Sequence, residues 1–234
     1  MKNANEQIRL RIKFKKDGLM RFIGHLDMMR FFQKLIRRSG LDIAYSEGFH
    51  PHQLMTFANP LGVGLCSQAE YMDIVMNSVT SQEQIIETLN KESVEGVTIL
   101  AARRLPTDTI NAMASVSRAD YGILLKDMAY DGNFDLKPLF TAYFERESVL
   151  AEKKTKKGTK LIDMKKSVHE YRAEGREVFL SVNAGSAENI RPEFVLEQVF
   201  EYAGLELLEH SYQITRLEQY DEKGLTLLEE GEEF

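Results

Sequence analysis

IRLRIKFKKDGLMRFIGHLDMMRFFQKLIRR, residues 8–38, holds two periodicities back to back. From Ile8 to Lys15 the apolar residues Ile8, Leu10, Ile12 and Phe14 alternate with Arg9, Arg11, Lys13 and Lys15. That is the period of a strand buried on one side, here with a basic outer side. After the Lys16-Asp17-Gly18 turn, Leu26, Met28, Met29, Phe31, Phe32, Leu35 and Ile36 recur at helical spacing. A step of about 100° per residue gathers Asp27, Arg30, Lys34, Arg37 and Arg38 on the opposite face. Gly40 suits the position just past the helix end, where Arg37 and Arg38 meet the negative end of the dipole.

Further along, Asp42 to Ser46 reads as a short strand, followed by a loop carrying His50, Pro51 and His52 between the turn signals Glu47-Gly48 and Pro60-Leu61-Gly62. Glu70 to Met76 alternates again, Ser81 suits the N-cap of a helix running through Lys91, and Val97 to Leu105 is a further strand. The first half thus reads βαββαβ, with the histidine loop inserted between its second and third strands. Beyond a weakly patterned connector, the order repeats. Tyr121 to Met128 is expected as a strand, Leu136 to about Glu152 as a helix, and Leu161 to Arg172 with Glu177 to Asn183 as a hairpin about Glu174-Gly175. A helix from Asn189 to Ala203, with Pro192 in its first turn and Gly204 after it, and a strand from Ser211 to Leu217 complete the series. The expected fold class is α+β, two tandem ferredoxin-like units with antiparallel sheets. They span residues 1–106, with the histidine loop at 47–64, and 118–218, ahead of a tail at 219–234.

Composition bounds the function classes. The 234 residues are 43% hydrophobic, ordinary for a globular chain with a real core. No apolar run approaches a bilayer span and the first residues lack the apolar stretch of a signal peptide, so a cytoplasmic location is expected. Cys66 is the sole cysteine, which excludes an internal disulfide and an all-cysteine metal or iron–sulfur site. The net charge of −6 hides an asymmetry. Residues 1–64 carry eleven Lys/Arg against five Asp/Glu, while Asp221, Glu222, Glu229, Glu230, Glu232 and Glu233 concentrate acid near the end, in a segment expected to be solvated.

Three groups of residues carry possible chemistry. His50 and His52 lie two apart and would point the same way in an extended segment, with His25 or Asp27 to complete a set. No HExxH-like pattern accompanies them, and histidines hydrogen-bonded within a polar loop outweigh a metal site; none is expected. His25, at the helix start, could act as a general acid or base toward a ribose hydroxyl or phosphate, with His50 and His52 as further proton-transfer groups. Asp27 and Arg30 form at least a surface pair. With Arg37, Arg38 and the strand residues Arg9 and Arg11, and with Tyr45 and Phe49 nearby, they could form a phosphate-binding surface. The lysine run Lys153, Lys154, Lys156, Lys157, Lys160, Lys165 and Lys166 is a second basic cluster, a candidate arm for a phosphate backbone.

At Gly24-His25-Leu26-Asp27 with Arg30, at Ala44-Tyr45-Ser46 with Gly48-Phe49-His50-Pro51-His52, and at Pro60-Leu61-Gly62 with Ser67, Glu70 and Asp73, the chain resembles the radical-SAM-linked protein family, a bacterial domain of unknown function. Lys157-Gly158, Asp163 and Arg191-Pro192 extend the resemblance into the second half. Gly24 stands where the family motif has Ser, and Gln53 where it has Pro. The resemblance implies a partner: such proteins are fused to, or encoded beside, radical SAM enzymes near ribonuclease and ribosomal genes. An iron–sulfur cluster and S-adenosylmethionine would then belong to that partner, since this chain lacks the CxxxCxxC triad. The expected function is a non-catalytic accessory protein engaging RNA or a ribonucleoprotein through Arg9, Arg11, Asp27, Arg30, Arg37, Arg38, Tyr45, Ser46, Phe49, Glu70, Asp73, Lys156 and Lys157. The alternative is an RNA-processing or RNA-modifying enzyme using His25, His50 and His52.

Overall fold

The fold was analysed in a computed structural model that describes residues 7–126, 134–155 and 158–234. In chain order, β1 (Ile8–Lys16) leads through a 3-10 turn (Gly18–Phe22) to α1 (His25–Ser39), β2 (Met55–Phe57), β3 (Cys66–Met76), α2 (Gln82–Glu92), β4 (Val97–Arg104) and the one-turn α3 (Ala112–Ser115). Then come β5 (Arg118–Leu125), α4 (Lys137–Phe144), β6 (Leu150–Thr155), β7 (Gly158–Asp163), the one-turn α5 (Met164–Ser167), β8 (Val168–Glu174), β9 (Glu177–Asn183), α6 (Pro192–Tyr202), β10 (Tyr212–Tyr220) and a final 3-10 turn (Leu227–Glu230).

The result is a mixed α+β fold with a mostly antiparallel sheet in the order β4-β1-β3-β10-β5-β9-β8, with β2 also paired to β3. The junction is a short parallel contact, Thr215 and Arg216 of β10 beside Cys66 and Ser67 of β3. Further along, the same edge of β3 takes β2, with Met55 opposite Ile74 and Phe57 opposite Met72. Two apolar cores lie side by side. In the first, Leu10, Ile12 and Phe14 of β1 and Met72, Ile74 and Met76 of β3 meet Met28, Phe32, Leu35 and Ile36 of α1. Phe14 and Phe32 pack with ring centres 4.6 Å apart. Burial of a side chain such as Phe32 contributes roughly 1.5–3 kcal/mol. In the second, Ala119, Tyr121 and Ile123 of β5 pack with Phe140 of α4 and Val195, Val199 and Phe200 of α6.

Local chemistry explains the helix ends. Ser81 caps α2 by accepting from the Gln84 amide at 3.3 Å. Gly40 closes α1 at φ +70°, a left-handed backbone that glycine takes without cost.

Four expectations are corrected. Asp42–Ser46 is not a strand: it makes only the isolated bridges Ile43↔Met76 and Tyr45↔Gln53, and the paired segment is β2, which falls within the expected histidine loop and after His50 and His52. The helix after residue 136 ends at Phe144, and the lysine-rich segment instead forms the β6–β7 hairpin. The basic side of β1 is not an open basic face, because Arg11 is 0% exposed and Arg9, Lys13 and Lys15 are partly covered and paired with acids. The acidic tail is not wholly solvated: it folds back on β4, though Glu222, Glu229, Glu232 and Glu233 stay exposed. Leu227 is wholly buried, Thr226 and Glu229 form a reciprocal capping box, and Arg104 and Glu232 exchange backbone hydrogen bonds at the β4 edge.

Candidate functional site

Where the two cores meet, the buried series of three strands each reach a charged residue. The alternation Ile12, Phe14 of β1 continues to Lys16, 2% exposed; that of β3 begins at Glu70, 7% exposed; and in β10 Ile214 is followed by Arg216, 2% exposed. Arg216 has several partners. Its Nη1 donates to both Glu70 carboxylate oxygens at 2.8 and 3.1 Å and to the Asn59 carbonyl at 2.8 Å, while Nε donates to the Tyr121 hydroxyl at 3.2 Å. Lys16 Nζ donates to the Ile23 carbonyl at 2.7 Å. Burial lowers the Lys16 amine below the ordinary lysine pKa, against the pull of the Glu70 charge.

A small pocket opens over this cluster. Phe14, Lys16 and Glu70 form its buried part, and His25, Asn59 and Pro60 its less buried side. Its volume is about 20 Å³, room for about one water molecule. His25 is the first residue of α1 and leans edge-on against Phe57 with ring centres 5.6 Å apart. Gly24, in the N-cap position, supplies no side-chain oxygen to the helix start. The site therefore combines an amine, an imidazole and a carboxylate already committed to an arginine, at the mouth of an uncapped helix.

The histidine loop is a separate feature. Its neck is held by the Tyr45↔Gln53 bridge, by the Ser46 amide donating to the His52 carbonyl at 2.8 Å, and by a 2.8 Å bond between Ser46 Oγ and His52 Nδ1. Gly48 turns the tip at φ +105°, and Phe49 beyond it is wholly exposed. His50 and His52 are exposed, and Tyr45 is 46% exposed. No group of three or more potential metal ligands occurs among the described residues.

The remaining predicted residues are dispersed. On α1, Asp27 and Arg30 form an exposed pair at 3.0 Å, Arg37 is exposed, and Arg38 bonds the Glu92 carbonyl at 2.8 Å. Arg11 lies inside the fold: Nε and Nη2 grip the Asp73 carboxylate at 2.8 and 3.0 Å, and Nη1 meets Glu230 from the final 3-10 turn. Arg9 joins Asp73 at 3.8 Å and donates to the Thr109 carbonyl at 2.6 Å. Arg9, Arg11 and Asp73 thus build an internal charge network and are not a basic surface; Glu70 likewise faces inward. Lys156 and Lys157 lie outside the described residues.

Sequence reading missed Lys16, Arg216 and Glu230. The signal for Lys16 was present in the period of β1, which places it on the buried side with Phe14. Nothing in the local pattern marks Arg216 or Glu230, whose partners lie 146 and 219 residues away in sequence.

The model of one protein family, described as an uncharacterized protein conserved in bacteria (DUF2344), matches residues 9–192. No curated protein matches the chain.

Proposed function

We propose, from the premise that this chain belongs to the DUF2344 family of uncharacterized bacterial proteins, that it is a binding protein which docks on RNA or a ribonucleoprotein through the tip of its histidine loop. It would act as the accessory of a radical SAM enzyme. The observation that carries this reading is Phe49, wholly exposed at the tip of a loop whose neck is tied by backbone and side-chain bonds. An aromatic ring held out on a braced turn contributes nothing to the fold, and it offers a face on which a base can stack at about 1–3 kcal/mol. Tyr45, His50 and His52 on the same loop supply further ring faces and hydrogen-bonding groups. The exposed Arg30, Lys34 and Arg37 on α1 are additional phosphate contacts. As to architecture, β1–β4 in the order β4-β1-β3-β2 and β5, β8, β9, β10 in the order β10-β5-β9-β8 support reading the halves as two ferredoxin-like units.

The test is a Phe49→Ala variant. Its thermal midpoint should match the wild type, while co-purified RNA and recovery of a radical SAM protein from the native host should fall at least fivefold. Equal recovery by the two proteins sinks the reading.

A further inference from the structure

We propose that the pocket between α1 and the end of β1 binds the terminal phosphate of a nucleic-acid strand, with Lys16 and His25 as its contacts. The choice of a nucleic acid as carrier of that phosphate rests on the function proposed above; the pocket itself rests on its own charges. Two buried cations, Lys16 and Arg216, share one buried carboxylate, Glu70. Both oxygens of that carboxylate accept from Arg216, its single charge stands against two cations, and Lys16 forms no salt bridge among the described residues. A buried charge without a partner is costly, and an anion from outside removes the cost.

The donors fit a phosphoryl group better than a carboxylate. Lys16 has three donors and uses one on the Ile23 carbonyl. His25 makes no side-chain hydrogen bond among the described residues and adds a nitrogen that is a donor when protonated. A rotatable ammonium is a point charge suited to tetrahedral phosphate, whereas a planar carboxylate pairs best with an arginine fork. Shape selects the end of a strand over its middle. Buried Phe14 and Glu70 wall the pocket on one side, and its space of about 20 Å³ holds about one oxygen-sized atom, so the rest of a phosphoryl group would lie toward the less buried side with His25 and Asn59. A phosphodiester carries a chain on both sides and would have to pass through; a terminal monoester enters by one oxygen.

The test measures binding by fluorescence anisotropy of one mixed-sequence oligoribonucleotide in three forms: 5′-phosphorylated, 3′-phosphorylated and with both ends hydroxyl. The expected result is at least tenfold tighter binding of one phosphorylated form, a gain that inorganic phosphate competes away. In Lys16→Met the gain falls to within twofold of unity, and in His25→Gln it falls at least threefold, with circular dichroism confirming that both fold. Should Lys16→Met fail to fold, His25→Gln, at the less buried side of the pocket, decides alone. Equal binding of all three forms overturns the pocket assignment and leaves RNA docking standing. If no strand binds, yet inorganic phosphate raises the wild-type melting temperature and not that of Lys16→Met, the pocket stands and nucleic acid as its ligand falls.

Discussion

Asp73→Ala is the most informative single perturbation of this fold. The Asp73 carboxylate, 5% exposed, accepts from Arg11 Nε at 2.8 Å, from Arg11 Nη2 at 3.0 Å and from the Ala112 amide at 2.7 Å. Its removal leaves a fully buried guanidinium with Glu230 and the carbonyls of Leu227 and Ile110 as partners. Breaking a buried pair from one side costs about 3–5 kcal/mol, and the orphaned Ala112 amide about 1–3 kcal/mol. These losses share one site and overlap, so the expected total is about 4 kcal/mol, a large part of the roughly 5–15 kcal/mol that holds a typical domain together. At roughly 2–4 °C per kcal/mol for a chain of this size, the melting temperature should fall by about 8–16 °C. Urea denaturation followed by circular dichroism reads the same loss as a lower midpoint at unchanged slope. The double variant Arg11→Met/Asp73→Leu, which removes this pair and fills the space with apolar atoms, should recover part of it, the remainder being Glu230 without Arg11 and the Ala112 amide without an acceptor. A loss below about 1 kcal/mol in Asp73→Ala, or a double variant no better than the single, would refute the view that this pair is an internal tie.

Two further outcomes follow from the same geometry. Because burial depresses the Lys16 pKa, the folded chain holds this proton less tightly than the unfolded chain. Stability therefore rises with pH between the depressed folded value and the unfolded value near about 10.4. Wild type should gain on Lys16→Met over that window in paired urea titrations; a difference flat in pH contradicts the assignment. Gly185 sits at φ +93°, and a Cβ there would collide with the Val116 carbonyl oxygen. Gly185→Ala should cost well over about 1 kcal/mol, read as a lowered thermal midpoint, whereas Gly175→Ala, at φ +53° with open space around it, should cost less.

What the sequence disclosed and what it hid divide along a physical line. Features fixed within a few residues were legible: the alternation of β1, the apolar stripe of α1, the serine cap of α2 and the glycine after α1 all match the structure. Much of the order of strands and helices followed from these, although the second strand was misplaced and β6 stands where the continuation of a helix was expected. What failed depended on distant partners. Period two in β1 identifies two faces but not what covers the second, and an arginine facing water is spelled like one facing Asp73 and Glu230. The acidic C-terminal segment misled in part for the same reason, since a run of glutamates reads as solvated throughout unless a cation such as Arg11, which meets Glu230, is known. For the candidate site, His25 and the exposed Phe49 were marked by their unusual setting, while Lys16 was lost because a lysine beside Asp-Gly looks like a turn residue.

Glu230 follows all its partners in the order of synthesis, and β10, which joins the two halves of the sheet, follows every other strand. A ribosome therefore releases Arg9 and Arg11 on β1 and Asp73 on β3 long before the second carboxylate that balances the two cations exists. The nascent first half must wait with an ionic seam open, and a prematurely terminated fragment would keep it open. Such fragments would present a half-compensated cation and an unpaired stretch of β3, a natural handle for chaperones or proteases to tell aborted copies from finished ones.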